Sequence, residues 1–172
     1  VSPLAYSSEA TVDKVVITNT PDNTWVSFEV KNAFTKDIEE GIKSGIPTTF
    51  TFFVELYRRR GIWFDEQLHS ITFKHTIKYD TLKEEYEIMM EEKPQVEADS
   101  KSVPIIRVKE IEQAKKIMAS GEDILVKPAS ALQKGEKYQL RIKAMLDPVN
   151  LPFPLNYMLF FVKLWDFETG WY

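Results

Sequence analysis

The sequence predicts a mostly β protein, an antiparallel β-sandwich or a flattened open barrel with two short helices at its edges or ends. Apolar and polar side chains alternate over several stretches, and turn residues separate these stretches. Only two segments have apolar side chains at helical spacing. The 172 residues fit a single domain with a substantial core, of which residues 1–9 are expected to be a flexible N-terminus.

The chain begins with a predicted β-hairpin. Residues 10–19 and 23–31 have the composition of strands, and Thr20, Pro21 and Asp22 between them are typical of a turn. Three apolar side chains of the second strand should face one side of the sheet, namely Val26, Phe28 and Val30.

A short helix and a long strand follow. Thr35 is a candidate N-cap for the segment KDIEEGIK, and Gly45 followed by Pro47 should end this helix. Residues 47–60 then alternate as a strand, which we expect to be central because both of its faces carry large apolar side chains. The face expected to be buried consists of Phe50, Phe52, Val54 and Leu56.

Two further strands extend this one into an antiparallel meander. Residues 67–80 place apolar side chains on one face and mostly Thr, Ser and Lys on the other. This is the pattern of a sheet with one solvent-exposed face. After a turn at Asp80 and Thr81, the second strand alternates through KEEYEIMMEE. The side chains expected to face the core are Ile71, Phe73, Ile77, Tyr79, Tyr86, Ile88 and Met90.

The remaining third of the chain is less regular. A polar loop is predicted at residues 93–103 and a helix at residues 104–120, closing at Gly121. A short apolar run at residues 124–126 precedes a turn at Lys134 and Gly135.

Residues 136–147 alternate as another strand, and a terminal strand is expected over residues 165–171. Residues 151–162 are compatible with helix or strand, because short apolar runs do not distinguish the two.

Composition excludes several functions. The net charge of −4 argues against general attraction to nucleic acid or to an anionic membrane. The absence of cysteine excludes disulfides, thiolate metal sites and a cysteine nucleophile. No segment approaches the roughly 20 apolar residues that a transmembrane helix needs. The small, polar start VSPLAYSSEA is compatible with a mature end after signal-peptide removal and equally with a trimmed chain.

Histidines and carboxylates are the candidate reactive groups. His69 and His75 share one face of a predicted strand but lie roughly 20 Å apart, so they cannot bind one metal ion. We therefore expect histidines at the border of the core, with no metal or cofactor. A dense carboxylate group could support acid–base chemistry, but its predicted place on a solvated strand face favours a solubilising role. This group consists of Glu84, Glu85, Glu87, Glu91 and Glu92.

No Gly-rich phosphate loop, nucleophile elbow or HExxH helix occurs in the sequence, and we predict no catalytic residues. The most plausible contact patch combines arginine with large aromatic side chains, which are favoured at binding hot spots. It consists of Arg58, Arg59, Arg60, Trp63 and Phe64. The alternative is that these arginines pair with the acidic strand at residues 82–92. A second aromatic group is expected to fill the core rather than to bind a ligand, and it contains Trp165, Phe167, Trp171 and Tyr172.

The order of several segments resembles the bacterial domain-of-unknown-function family numbered 4390. They are GIKSGIPTTFTFFVELYRRR with Trp63 after it, IKYDTLKEEYEI, the helical IEQAKKI, the run LPFPL at residues 151–155, and residues 165–172. The similarity extends from about Thr11 onward and lies in the set of segments rather than in a catalytic signature. It implies an exported, envelope-associated bacterial protein, and it transfers no functional residues.

These observations favour a non-catalytic, extracytoplasmic module, in the periplasm, that binds another envelope protein through the arginine–aromatic patch or a nearby strand edge. A carrier of an apolar ligand or lipid is the alternative, and an enzyme comes third. The carrier would hold its ligand between sheets lined by Phe50, Phe52, Phe73, Tyr79 and Tyr138.

Overall fold

Eight strands and two helices make up the described part of the chain, which the computed structural model covers at residues 9–92, 103–128, 132–149 and 168–172. The elements are β1 (Thr11–Asn19), β2 (Asn23–Lys31), α1 (Lys36–Lys43), β3 (Thr48–Arg58), β4 (Glu66–Asp80), β5 (Glu85–Glu92), β6 (Ile105–Val108), α2 (Ile111–Met118), β7 (Ser120–Pro128) and β8 (Tyr138–Leu146).

The strands form two antiparallel sheets. The smaller has the order β1-β2-β7, and the larger has the order β6-β5-β4-β3-β8. The described strands form two sheets and do not close into a barrel, in agreement with the predicted antiparallel sandwich. The predicted hairpin and three-stranded meander are confirmed by the antiparallel pairing of β1 with β2 and of β3, β4 and β5.

Aromatic rings fill the space between the sheets. The ring centroid of Phe28, on β2, lies 5.8 Å from that of Phe52 and 6.4 Å from that of Phe73. Phe52 and Phe73 also stack on each other at 4.8 Å. Each buried ring of this kind stabilises the fold by roughly 1.5–3 kcal/mol relative to an exposed one.

Strand β3 lies between β4 and β8, as expected for a central strand. All four side chains predicted to face the core from β3 are buried, and Thr51 on the opposite face is buried as well. Helix α1 also begins and ends as predicted. The Thr35 hydroxyl accepts a hydrogen bond from the Ile38 N–H at 3.3 Å, and Gly45 takes a left-handed φ of +83° at the helix end.

The second helix is shorter than predicted. Residues 105–108 form β6, which pairs with β5, and α2 ends at Met118 rather than at Ser120. Gly121 belongs to β7, opposite Phe28 of β2. A Cβ at residue 121 would lie 2.5 Å from Cε1 of Phe28, so this glycine makes room for an aromatic ring rather than ending a helix.

The C-terminal segment follows β8 without forming a regular strand in residues 168–172. Glu168 makes a single bridge with Met145, and the N–H groups of Thr169 and Tyr172 each donate to a β8 carbonyl at 2.9 Å. Trp171 and Tyr172 lie beside β8 and are exposed, so the prediction that they fill the core is wrong.

Several predictions concern residues outside the described ranges. They include Trp165 and Phe167, nearly all of the flexible N-terminus at residues 1–9, most of the polar loop at 93–103, and the choice between helix and strand at 151–162. Within the described ranges, neither helix has the length and apolar character that crossing a membrane requires.

Candidate binding surface

The connection between β3 and β4 exposes three consecutive large apolar side chains. We refer to residues 59–65 as the β3–β4 loop. Ile62 and Phe64 are each 97% exposed, and Trp63 is 79% exposed. Single exposed apolar residues are common on protein surfaces, but contiguous ones mark sites of interaction. Ile62 was not part of the predicted patch, although it extends the patch along the chain.

Ion pairs across the hairpin hold the base of the β3–β4 loop. Arg58 and Arg60 lie 3.5 Å and 2.5 Å from the same Glu66 oxygen, Oε2. Arg59 Nε lies 3.6 Å from Asp65 Oδ1. The alternative in which the arginines pair with the acidic strand is therefore wrong. Along β4, β5 pairs with residues 73–80, at the end far from the arginines.

Strand β8 braces the same hairpin from the other side. The guanidinium of Arg141 lies 4.3 Å above the centroid of the Tyr57 ring, and its Nη2 lies 3.6 Å from Asp65 Oδ2. The Tyr57 hydroxyl donates to Glu55 at 2.9 Å, and this hydrogen bond raises the pKa of Tyr57. Arg141 thus links the central strand β3 to the loop.

Backbone hydrogen bonds add to this bracing. The N–H of Trp63 donates to the Arg60 carbonyl at 3.0 Å, and the N–H of Arg59 donates to the Lys137 carbonyl at 2.8 Å. The turn before β8 therefore lies directly beside the β3–β4 loop. With both arms held, the exposed aromatic side chains are presented by a fixed stem, an arrangement that lowers the entropic cost of binding.

Sequence reasoning named the arginines and aromatics of this surface but missed Asp65, Glu66 and Arg141. The acidic pair could have been found, because opposite charges on the two arms of a predicted hairpin face each other. Arg141 could not, because its place depends on the pairing of β8 with β3, which no local pattern reveals.

The two histidines lie on β4, as predicted, in different surroundings. His75 is 2% exposed, and its ring lies 5.1 Å from that of Phe52 and 5.4 Å from that of Phe73. Burial lowers the pKa of His75, while hydrogen bonding to the backbone of Met118 and Ile117 acts in the opposite direction. His75 is thus inside the core rather than at its border, whereas His69 is half-buried.

Two glutamates of β5, Glu85 and Glu87, are engaged in ion pairs. Arg107 Nε, on β6, lies 2.8 Å from Glu87 and 3.7 Å from Glu85. Glu84 lies in the preceding turn, and Glu91 and Glu92 are exposed at the strand end. In the described ranges, no group of three His, Asp or Glu side chains could hold a metal ion.

The carrier alternative gains no support from the intersheet space. Phe52 and Phe73 stack on each other, and Phe50 is fully buried with its ring 5.0 Å from that of Phe34. Tyr79 packs against Tyr86 at 4.7 Å, and the Tyr138 hydroxyl accepts a hydrogen bond from the Gln133 N–H. A ligand between these residues would have to displace ring contacts.

A cavity of about 370 Å³ lies elsewhere, between residues 29–34 and helix α2. Its lining includes Phe34 and the Lys115 ammonium, which is paired with Glu39 at 2.6 Å and with Glu112 at 3.1 Å. The cavity is therefore polar and largely self-neutralised, unlike the apolar site that a lipid carrier requires.

A family model described as "Domain of unknown function (DUF4390)" matches residues 7–172, which include every described strand and helix and the β3–β4 loop. Searches of curated proteins and of solved structures each found no match.

Proposed function

This chain belongs to the DUF4390 family of domains of unknown function, and we propose that it is a non-catalytic module that docks onto another protein of the bacterial cell envelope through the β3–β4 loop. The observation that carries the proposal is the near-complete exposure of three adjacent large apolar side chains, at residues 62–64. Water contact with this surface is unfavourable, and burial against a partner removes it.

The surroundings of the loop support the same function. Trp63 and the arginines are residue types that contribute most of the binding energy in protein interfaces. The ion pairs of Arg58, Arg59 and Arg60 with the returning strand fix the stem, so binding does not have to order it first. The location outside the cytoplasm is part of this proposal, and it rests on what the family resemblance in the sequence implies.

The function is tested by comparing matched variants in affinity capture from envelope extracts. The variant Trp63→Ser/Phe64→Ser should lose the proteins that the wild type retains, because it removes the exposed rings. The control Leu82→Ser should keep them, since Leu82 is 95% exposed but lies beyond the opposite end of β4. Both variants should unfold within about 0.5 kcal/mol of the wild type, because the altered side chains are on the surface.

Equal retention by the wild type and the loop variant would refute docking through the loop. Fractionation of native cells, followed by detection with an antibody, tests the location. Recovery of the protein in the cytoplasmic fraction alone would contradict the envelope assignment.

A further inference from the structure

We propose that the partner presents an apolar cleft rimmed by carboxylates, an inference that rests on the proposed function and specifies the chemistry of the surface that the β3–β4 loop enters. Four features of the loop and its surroundings carry it: net charge, unsatisfied arginine donors, the shape of the apolar tip, and the position of the loop's own carboxylates.

The end of the molecule that carries the loop is cationic, although the whole chain has a net charge of −4. The hydrogen bond between Arg59 and Lys137 brings the turn before β8 against the loop. Six cationic side chains belong to the loop stem, this turn and the adjoining parts of β3 and β8, against four carboxylates. The cations are Arg58, Arg59, Arg60, Lys134, Lys137 and Arg141, and the carboxylates are Glu55, Asp65, Glu66 and Glu136. Such an end attracts an acidic partner and orients the approach.

The two carboxylates of the hairpin are shared among four arginines, so they cannot accept hydrogen bonds from all of the guanidinium donors. Asp65 contacts Arg59 and Arg141 and accepts from the Arg60 N–H, while Glu66 serves both Arg58 and Arg60. Each guanidinium has five N–H donors in a planar fork that matches a carboxylate in two-point contact. Arg59 and Arg60 are about half exposed, so carboxylates from a partner can reach them.

The apolar tip requires a concave surface. Ile62, Trp63 and Phe64 are consecutive and almost fully exposed, so they project from the hairpin instead of forming a flat patch. Buried aromatic anchors contribute most when they fill a pocket that excludes water, and charged groups around the pocket then contact the rim. The tip and the arginines beneath it reproduce this arrangement of anchor and rim.

A lipid surface is the competing occupant, because aromatic and cationic side chains also favour membrane interfaces. The loop is poorly suited to anionic headgroups, however. Asp65 directly follows Phe64, and Glu136 lies in the adjacent turn, so insertion of the tip would bring carboxylates to the phosphates. The negative net charge of the chain opposes the approach as well. A protein surface can match both signs of charge.

Selection from a random peptide library displayed on phage tests the inference with a defined probe. The immobilised wild-type protein is the bait, and Trp63→Ser/Phe64→Ser is the counter-selection. We expect enriched peptides to combine several Asp or Glu residues with Leu, Ile, Phe or Trp. A synthetic peptide of the winning sequence should bind at least about tenfold more weakly to Arg59→Glu than to the wild type. The control Lys78→Glu, an equal charge reversal on an exposed residue near the other end of β4, should change binding less than about twofold.

Each other outcome has a definite meaning. Loop-dependent peptides without acidic residues, or with no sensitivity to Arg59→Glu, would overturn the carboxylate rim and leave the proposed function standing. Absence of any loop-dependent peptide, together with unchanged affinity capture by the loop variant, would overturn both. Sedimentation with vesicles of phosphatidylglycerol and phosphatidylethanolamine that depends on Trp63 and Phe64 would assign the tip to lipid and refute the acidic protein partner.

Discussion

His75 is a buried titratable residue that packs against phenylalanine rings of the larger sheet. Its imidazole contacts Phe52 and Phe73, and burial lowers its pKa. The neutral form is therefore favoured in the folded protein. In the unfolded chain the same group titrates near its ordinary value of about 6.5.

This difference predicts that His75 makes stability depend on pH. Below about pH 6.5 the unfolded state binds a proton that the folded state does not, so the free energy of unfolding falls as the pH drops from 6.5 toward the folded pKa. Replacement His75→Phe should weaken this dependence, because no proton is then taken up at residue 75. Urea unfolding from about pH 7.5 to about pH 5 measures it.

His69→Phe is the matched control, because it removes the other histidine of β4 and leaves His75 in place. It should keep the acid-sensitive part of the curve. Parallel pH profiles for the wild type and His75→Phe would show that residue 75 takes up no proton on unfolding, in conflict with its burial.

Residues that cap a helix can be recognised in a sequence, whereas the role of Gly121 cannot. Thr35 and Gly45 were identified correctly because capping depends on residues a few positions away. Gly121 follows a helical pattern, which predicts a helix end, but the structure shows that a glycine is needed there to make room for the Phe28 ring on the neighbouring strand. That contact joins residues 93 positions apart in sequence, and local spacing carries no information about it.

At the scale of helices and strands, the edge of β8 is covered by the end of the chain. Thr169 is 2% exposed, and it exchanges two hydrogen bonds with Ala144: its N–H donates to the carbonyl at 2.9 Å, and its Oγ1 accepts from the N–H at 3.0 Å. The Thr169 hydroxyl thus accepts the hydrogen bond of the Ala144 N–H, which in a regular sheet would go to a carbonyl of a neighbouring strand.

Thr169→Val should therefore lower the free energy of unfolding by about 1–3 kcal/mol, because it keeps the side-chain shape and leaves the buried Ala144 N–H without an acceptor. Thr18→Val, on the exposed strand β1, is the control and should change stability by less than about 0.5 kcal/mol. Denaturant unfolding of both variants measures the difference. Equal stabilities would show that residues 168–172 are not packed on β8 as described.

The sequence predicted long strands better than short ones. The alternation along β3 and β4 spans 11 and 15 residues, and it assigned the buried faces correctly. β6 has only four residues, and its apolar positions fitted the helical spacing of the α2 segment that follows. Its pairing with β5 decided its conformation, and partner residues 16 to 22 positions away are invisible to a window of that length.

At the scale of the whole molecule, the larger sheet carries a cationic end with an apolar tip. β3, β4 and β8 all contribute to that end, through Arg58, Glu66 and Arg141 respectively. Composition identified the arginines and aromatics as candidates because such residues dominate interfaces. It could not show that the rings point into solvent, because strands elsewhere in this chain bury the same residue types.

Photo-cross-linking in living cells tests docking through the β3–β4 loop most directly. The photoreactive p-benzoylphenylalanine replaces Trp63 in one full-length variant and Leu82 in another, since both side chains are largely exposed and lie at opposite ends of the larger sheet. We predict that irradiation produces a discrete covalent adduct with one envelope protein from position 63 and none from position 82. Adducts of the same pattern from both positions, or from position 82 alone, would contradict the account.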